Sequence, residues 1–242
     1  MPSFTDKLTV GGSEMDMYAA LPSGSGPHPA VVIAFHVGGL DDFDRAMADR
    51  LAEAGYVAVV PDLFHRFSQE VMNGPRLDRL GHLKDADIIA DMNAAVDFLT
   101  ANSAIDNDRI GVTGFCMGGR IAWLMAAANP IFKCTVPFYG GNIMGNWGPG
   151  DTPFSMAANI NCPMQFHFGS LDGNPSPEDR DKMDAELNRL GKSHEFCTYE
   201  GAGHAFMDFT NPERHHEASA TQAWPRTIDF FNKHLKTAAV SA

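Results

Sequence analysis

The chain alternates short runs of apolar residues with longer segments in which apolar residues recur every three or four positions. Residues 30–35 and 56–60 are continuous apolar runs, which are typical of strands buried on both faces. Residues 43–54 and 85–100 have the spacing of amphipathic helices, and Gly55 follows the first of them as a C-cap. Strands that alternate with helices predict a mostly parallel sheet covered by helices on both faces.

The remaining segments extend this pattern to about eight strands in a single domain over residues 1–242. A hairpin around Gly11 and Gly12 is predicted for residues 7–10 and 15–20. Further strands are predicted at 109–115, 132–139, 164–168 and 195–199, and further helices at 117–128, 177–190 and 212–235. Segments 67–84 and 140–158 are polar and irregular, and we expect them either to cover a site or to be ordinary surface loops.

Composition limits the partners of the protein. With 18 basic and 30 acidic residues in 242, the net charge of -12 repels nucleic acid and anionic membrane surfaces. No stretch approaches the roughly 20 apolar residues that span a bilayer, and residues 1–7 lack the pattern of a signal peptide. We therefore expect a cytoplasmic protein that acts on a small molecule, and we expect a monomer.

The four cysteines are Cys116, Cys134, Cys162 and Cys197. They are far apart and form no C-x-x-C pair, so neither a zinc site nor a disulfide framework is predicted. Three of them lie in apolar contexts and are expected to be buried. Cys116 differs from these three because glycines flank it closely on both sides.

Residues 114–119 read Gly-Phe-Cys-Met-Gly-Gly at the bend between a predicted strand and a predicted helix. This pattern is typical of a nucleophile elbow. A helix that begins at Met117 would direct its free N–H groups at the Cys116 sulfur and favour the reactive thiolate. The alternative is a buried cysteine in a glycine-rich turn. A phosphate-binding Walker loop does not fit, because no Lys-Ser/Thr pair follows the glycines.

Two residues downstream complete a catalytic set in the chain order nucleophile, acid, histidine. Asp172 follows the predicted strand at 164–168, and His204 lies in a glycine-rich loop after the strand that ends at residue 199. Val37 follows the first buried strand, where α/β-hydrolases supply an oxyanion-hole N–H. The second N–H is expected from Met117.

The motifs at residues 114–119, 61–64, 138–140 and 201–206 resemble those of the dienelactone hydrolase family. The resemblance covers residues 31–235. It implies an α/β-hydrolase fold and a Cys116–His204–Asp172 triad that hydrolyses a small ester or lactone through a thioester acyl-enzyme. It also implies that no cofactor or metal is needed. Substrate-pocket residues are expected to be His36, Phe64, Tyr139 and Phe206.

The sequence departs from the family pattern at two places. Dienelactone hydrolases carry a glutamate where this chain has His36, and that glutamate takes the thiol proton when substrate binds. We expect His36 to be a neutral hydrogen-bond partner, a cation beside the thiolate, or a residue that only fills space.

The second departure concerns the family's substrate-binding arginines. One falls where residues 207–209 read Met-Asp-Phe, and the other falls in the region of Arg76, Arg79 and His82. Because Asp208 would repel an anionic substrate, we expect an altered pocket.

Two other functions are compatible with parts of the pattern. A thiol oxidoreductase could use Cys116, but no resolving cysteine lies near it in sequence, and Asp172 and His204 would be left without a role. A non-catalytic protein that binds a small ligand on the same fold is the stronger alternative, since a fold does not determine a function.

Overall fold

Eight strands form one sheet in the computed structural model, which describes residues 2–236. The strands are β1 (Ser3–Val10), β2 (Ser13–Ala20), β3 (His28–Ala34), β4 (Val57–Pro61), β5 (Ile105–Phe115), β6 (Phe132–Phe138), β7 (Met164–Gly169) and β8 (His194–Tyr199). Their order across the sheet is β1-β2-β4-β3-β5-β6-β7-β8. Strand β2 pairs antiparallel with β1 and β4, and the pairs from β4 through β8 are parallel.

Helices cover the sheet. They are α1 (Asp42–Glu53), α2 (Gln69–Asn73), α3 (Asp85–Thr100), α4 (Met117–Ala128), α5 (Pro177–Arg189) and α6 (Glu217–Phe231). Short 3-10 helices occupy Arg76–His82 and Ala157–Asn159, and a π-helical turn, Asn232–Lys236, follows α6. Strand β4 is buried at every position and β3 at all but its first, which requires cover on both faces. None of the helices described between residues 2 and 236 has the length and apolar content that crossing a bilayer requires.

The sequence predicted most elements closely. Helices α3 and α4 run over the predicted residues, and the hairpin of β1 and β2 turns at Gly11 and Gly12. The predicted helix over 212–235 was too long, since α6 begins only at Glu217. The backbone N–H of His216 donates to the carbonyl of Phe206 instead of that of Pro212, which interrupts the helical hydrogen-bond pattern just before α6.

Segment 67–84 is less irregular than predicted, because it contains α2 and the 3-10 helix. The Ser68 side chain accepts a hydrogen bond from the N–H of Val71 and caps α2. Gly74 and Pro75 then separate the two helical turns. The part of this segment from Ser68 to His82, which contains both helices, is called the cap below.

Close backbone packing fixes the elbow between β5 and α4. A Cβ atom on Gly114 would overlap the carbonyl of Gly118, and a Cβ on Gly118 would overlap the carbonyl of Ala34 at the end of β3. The first turn of α4 therefore lies directly against the ends of two central strands. Only glycine permits this approach. The approach places Cys116 at the carboxyl ends of the central strands.

We expect Gly118→Ala to lower the free energy of unfolding by about 2 kcal/mol or more, because α4 must shift away from β3 to make room. Urea denaturation measures this loss. Gly81→Ala is the matched control, since a Cβ there meets open space. Its stability should stay within about 0.5 kcal/mol of the unsubstituted protein. Equal effects of the two substitutions would contradict the packing argument.

Candidate active site

A cavity of about 570 Å³ opens at the carboxyl ends of the central strands, where parallel sheets commonly hold their ligands. Cys116, Asp172 and His204 all line it. They come from three separate turns, after β5, β7 and β8 respectively. The three residues predicted as a catalytic set are thus brought together by the parallel strand order.

Cys116 occupies the tip of the elbow with φ 55 and ψ -114, a conformation that residues other than glycine rarely adopt. Its backbone N–H donates to the carbonyl of Phe138 at 3.1 Å, and its own carbonyl accepts from Gly119 at 2.9 Å. These bonds hold the strained residue in place. Cys116 is partly accessible, whereas the other three cysteines are buried, as predicted.

The imidazole of His204 lies between the carboxylate of Asp172 and the thiol of Cys116. Its Nδ1 donates to Oδ2 of Asp172 at 2.9 Å, and the ring acts on the Cys116 thiol and lowers the thiol pKa. The other oxygen of Asp172 accepts from the N–H of Asn174 at 2.8 Å. Because a carboxylate fixes Nδ1 as the donor, Nε2 is the nitrogen that faces the thiol.

This arrangement favours a thiolate–imidazolium pair. Burial opposes ionisation of Cys116, but the hydrogen bond and charge of His204 and the N–H of Met117 outweigh it and lower the pKa of the thiol. Burial likewise disfavours the imidazolium. Hydrogen bonds to Asp172 and Cys116 outweigh it and raise the pKa of His204 to about 10. The two residues stabilise each other in the charged state.

Two residues that line the cavity can direct backbone N–H groups to a ligand, Val37 and Met117. The N–H of Met117 belongs to the first turn of α4 and is directed at the sulfur. Within residues 2–236, the N–H of Val37 makes no hydrogen bond. Two backbone N–H donors at one cavity are what an oxyanion requires.

His36 also lines the cavity, but both of its ring nitrogens are already used. The N–H of Gly38 donates to Nδ1 at 3.1 Å, so this nitrogen carries no proton. The proton is therefore on Nε2, which donates to Oδ2 of Asp41 at 2.9 Å. Of the three roles expected for His36, the geometry supports a neutral hydrogen-bonding residue that braces the loop. It leaves no nitrogen to accept a proton from Cys116.

One group of side chains in the described part of the chain, His36, Asp41 and Asp44, is spaced closely enough to hold a metal ion. A metal on Nε2 of His36 would require the ring proton to be on Nδ1, where ligating histidines normally donate to an acceptor. Here Gly38 donates to that nitrogen instead. The donor set therefore fits a hydrogen-bonded cluster better than a metal centre.

Asp44 is fully buried, and neither carboxyl oxygen has a hydrogen-bond donor within residues 2–236. Its Oδ2 is 3.5 Å from Nε2 of His36, whose proton goes to Asp41. Burial, followed by the neighbouring charges of Asp41 and Asp208, raises the pKa of Asp44 well above its ordinary value. A neutral carboxylic acid is the form that this environment favours.

We expect Asp44→Asn to stabilise the protein at pH 8 by about 1–3 kcal/mol, because the amide needs no deprotonation and can donate to Asp41. The raised pKa means that Asp44 supports folding at acid pH, and that this support is lost as the pH rises through the folded-state pKa. The gain from Asn should therefore shrink towards pH 4. Urea denaturation of both proteins at pH 4, 6 and 8 measures it, and a gain that is constant with pH would contradict this account.

The four predicted pocket residues divide into two pairs. His36 and Tyr139 line the cavity, and the Tyr139 ring packs edge-on to His204 with 5.2 Å between centroids. The prediction that Phe64 and Phe206 line the pocket was wrong. Phe64 stacks on Phe67 under the cap, and Phe206 is fully buried against Tyr139. Each aromatic ring turns away from the cavity into the apolar core.

Sequence reasoning missed a buried ion pair that shapes one wall of the cavity. Arg120 in α4 is fully buried, and its guanidinium binds both oxygens of Asp85 at 2.6 and 2.9 Å. It also donates to the carbonyls of Asn142 and Gly145 and stacks on Trp147, which lines the cavity. One signal was visible in the sequence, because Arg120 is the single charged residue in the apolar run of α4.

Both irregular segments contribute to the cavity wall. Leu77 and Leu80 come from the cap, and Asn142 and Trp147 come from segment 140–158. Leu77 is 69% exposed, an unusual position for a large apolar side chain. The cap thus presents an apolar surface towards whatever enters the cavity.

Comparisons with known proteins show the family to which this chain belongs. The sequence profile described as "Dienelactone hydrolase family" matches residues 15–235. This chain belongs to the dienelactone hydrolase family. Over 235 residues, this family member is 30% identical to a protein of Methylorubrum extorquens that is provisionally named carboxymethylenebutenolidase. The match covers 94% of this chain and 80% of that protein.

Two further relatives support the assignment. A protein of Bradyrhizobium sp., named a probable 2-oxo-3-(5-oxofuran-2-ylidene)propanoate lactonase, is 33% identical over 239 residues, which cover 94% of this chain and 93% of that protein. A crystal structure from Klebsiella pneumoniae subsp. pneumoniae, provisionally named a dienelactone hydrolase, has a TM-score of 0.86 and 29% identity. It covers 96% of this chain and 100% of that one. The predicted α/β-hydrolase fold and the family resemblance are confirmed.

The thiolate–imidazolium pair in this dienelactone hydrolase family member can be tested without a substrate. We expect iodoacetamide to alkylate Cys116 at pH 7 at least about tenfold faster than it does in His204→Gln. Without His204, burial is the largest influence on the thiol and is opposed mainly by the N–H of Met117, so the thiol pKa should rise. Mass spectrometry of the Cys116 peptide between pH 5 and 10 gives both rate profiles. Identical profiles for the two proteins would contradict the ion pair.

Proposed function

We propose that this chain is a cysteine-dependent hydrolase of small esters or lactones that acts through a thioester acyl-enzyme on Cys116. The observation that carries the proposal is that Cys116, His204 and Asp172 line one cavity, where His204 is hydrogen-bonded to Asp172 and lowers the pKa of the Cys116 thiol. Each member has the environment that its role requires: a partly accessible sulfur, a braced imidazole and a buried carboxylate. The names of the relatives, which denote lactone hydrolysis, support the same reaction class.

The thiol of Cys116 is proposed to be ionised in the resting enzyme, before substrate binds. In dienelactone hydrolases a glutamate takes the thiol proton when substrate binds, but here His36 occupies that place. Both His36 nitrogens are engaged by Gly38 and Asp41. His204 is then the base that accepts the proton of Cys116, and the raised pKa of His204 keeps that proton on the imidazole.

The proposed reaction has two halves. The Cys116 thiolate attacks the acyl carbon, and the N–H groups of Val37 and Met117 stabilise the tetrahedral oxyanion. Each such donor typically lowers the barrier by about 3 kcal/mol. The imidazolium of His204 protonates the leaving alkoxide. It then accepts a proton from the water that attacks the thioester, and the Cys116 thiolate leaves. Asp172 holds the ring orientation and stabilises its positive charge.

The cavity fits a substrate whose acyl part is apolar and uncharged near the sulfur. Phe43, Leu80 and Trp147 contribute apolar wall, and Asp208 lies where the family has a substrate-binding arginine. The arginines that line the cavity, Arg76 and Arg214, are both exposed. An altered substrate preference relative to dienelactone hydrolases is therefore proposed. A cytoplasmic location and a monomeric state remain predictions.

A panel of p-nitrophenyl esters and lactones tests the proposal with native protein, Cys116→Ala and Cys116→Ser. We expect kcat/KM to fall by about 1,000-fold or more in Cys116→Ala, because the nucleophile is lost. Mass spectrometry of the native protein during turnover should show an acyl adduct on Cys116. Tight binding with no turnover by native protein would favour the alternative of a ligand-binding protein on the same fold.

A further inference from the structure

The guanidinium of Arg79 is the most unusual charge near the site. Arg79 belongs to the 3-10 helix of the cap, where its neighbours are largely exposed, yet it is only 7% exposed itself. No carboxylate in the described part of the chain lies within ion-pair distance of it. Buried arginines are normally paired, as Arg120 is with Asp85 in this molecule. The burial of the Arg79 charge must therefore be explained by something other than an ion pair.

The guanidinium of Arg79 donates its hydrogen bonds to backbone carbonyls. Nη1 donates to the carbonyls of Val37 at 3.2 Å and Gly38 at 2.9 Å, and Nη2 donates to the carbonyl of Met72 at 2.7 Å. The Cζ atom of Arg79 lies over the ring of Phe64, 5.7 Å from the centroid. One side chain thus joins the cap to the loop that follows β3.

That loop carries the free N–H of Val37. The ring of His36 holds the loop by accepting the N–H of Gly38. Arg79 holds the same loop through two consecutive carbonyls. The orientation of Val37 is therefore fixed by an imidazole and a guanidinium. The positive charge bound to this loop also favours negative charge in the cavity that Val37 lines.

We propose that Arg79 is a positioning residue that aligns the oxyanion-hole N–H of Val37 and makes this alignment depend on the placement of the cap. The proposal rests on the proposed function, since it assumes that an oxyanion forms beside Cys116. Arg79 does not line the cavity, so its effect must pass through the loop rather than through contact with substrate. A substrate that orders the cap through Leu77 and Leu80 would thereby order the oxyanion hole.

Arg79→Lys tests the proposal, because an ammonium keeps the charge but cannot bridge three carbonyls in one plane. We expect the single-turnover rate of Cys116 acylation by p-nitrophenyl acetate to fall about 10- to 100-fold, with KM changed less than about threefold. Alkylation of Cys116 by iodoacetamide at pH 7 should stay within about twofold, because that reaction forms no oxyanion. Arg79→Gln, which removes the charge, should lose at least as much acylation rate.

Arg66→Lys is the matched control. Arg66 forms an ion pair with Asp91 beside the cap and does not contact the loop that follows β3. The Arg66→Lys substitution should lower the thermal unfolding midpoint of the protein while leaving the acylation rate within about twofold of the native rate. The proposal is overturned if both Arg79 variants keep the native acylation rate, or if acylation and alkylation fall by the same factor. A native protein that shows no ester turnover would instead refute the proposed function.

Discussion

The absence of a Cβ atom at Gly114 and Gly118 is the constraint on which the site depends. It lets the first turn of α4 lie against the carbonyl of Ala34 and the end of β5. This contact forces Cys116 into its positive φ and directs the N–H of Met117 at the sulfur. The position of Cys116, the strained turn and the direction of the Met117 N–H are thus consequences of a single close approach between a helix and two strands.

Charge is distributed around Cys116 in two different ways. On one side, Asp172 and His204 form a row that stabilises an imidazolium next to a thiolate. On the other side, His36 is neutral, and its hydrogen bonds serve the loop rather than the thiol. The proposed function accordingly assigns the thiol proton to His204, whose interaction with Cys116 lowers the thiol pKa.

The two buried arginines near the cavity, Arg120 and Arg79, hold backbone carbonyls of the surrounding loops in place. Arg120, neutralised by Asp85, fixes the carbonyls of Asn142 and Gly145 and supports Trp147. Arg79 has no carboxylate partner in the described part of the chain and fixes the carbonyls of Val37 and Gly38. A planar guanidinium can bridge several carbonyls in fixed geometry. The loop after β3 and segment 140–158 are each anchored in this way, which gives loops the placement that a reaction requires.

The sequence by itself determined the layered fold, the elbow and the order of Cys116, Asp172 and His204. Apolar periodicity and glycine placement are local properties, and parallel strands bring their carboxyl ends to one edge. Tertiary structure alone decided that Phe64 and Phe206 turn into the core, that His36 is neutral, and that Arg79 faces backbone carbonyls. Side-chain direction and protonation depend on partners that are distant in sequence, and no local pattern encodes the contacts that set them.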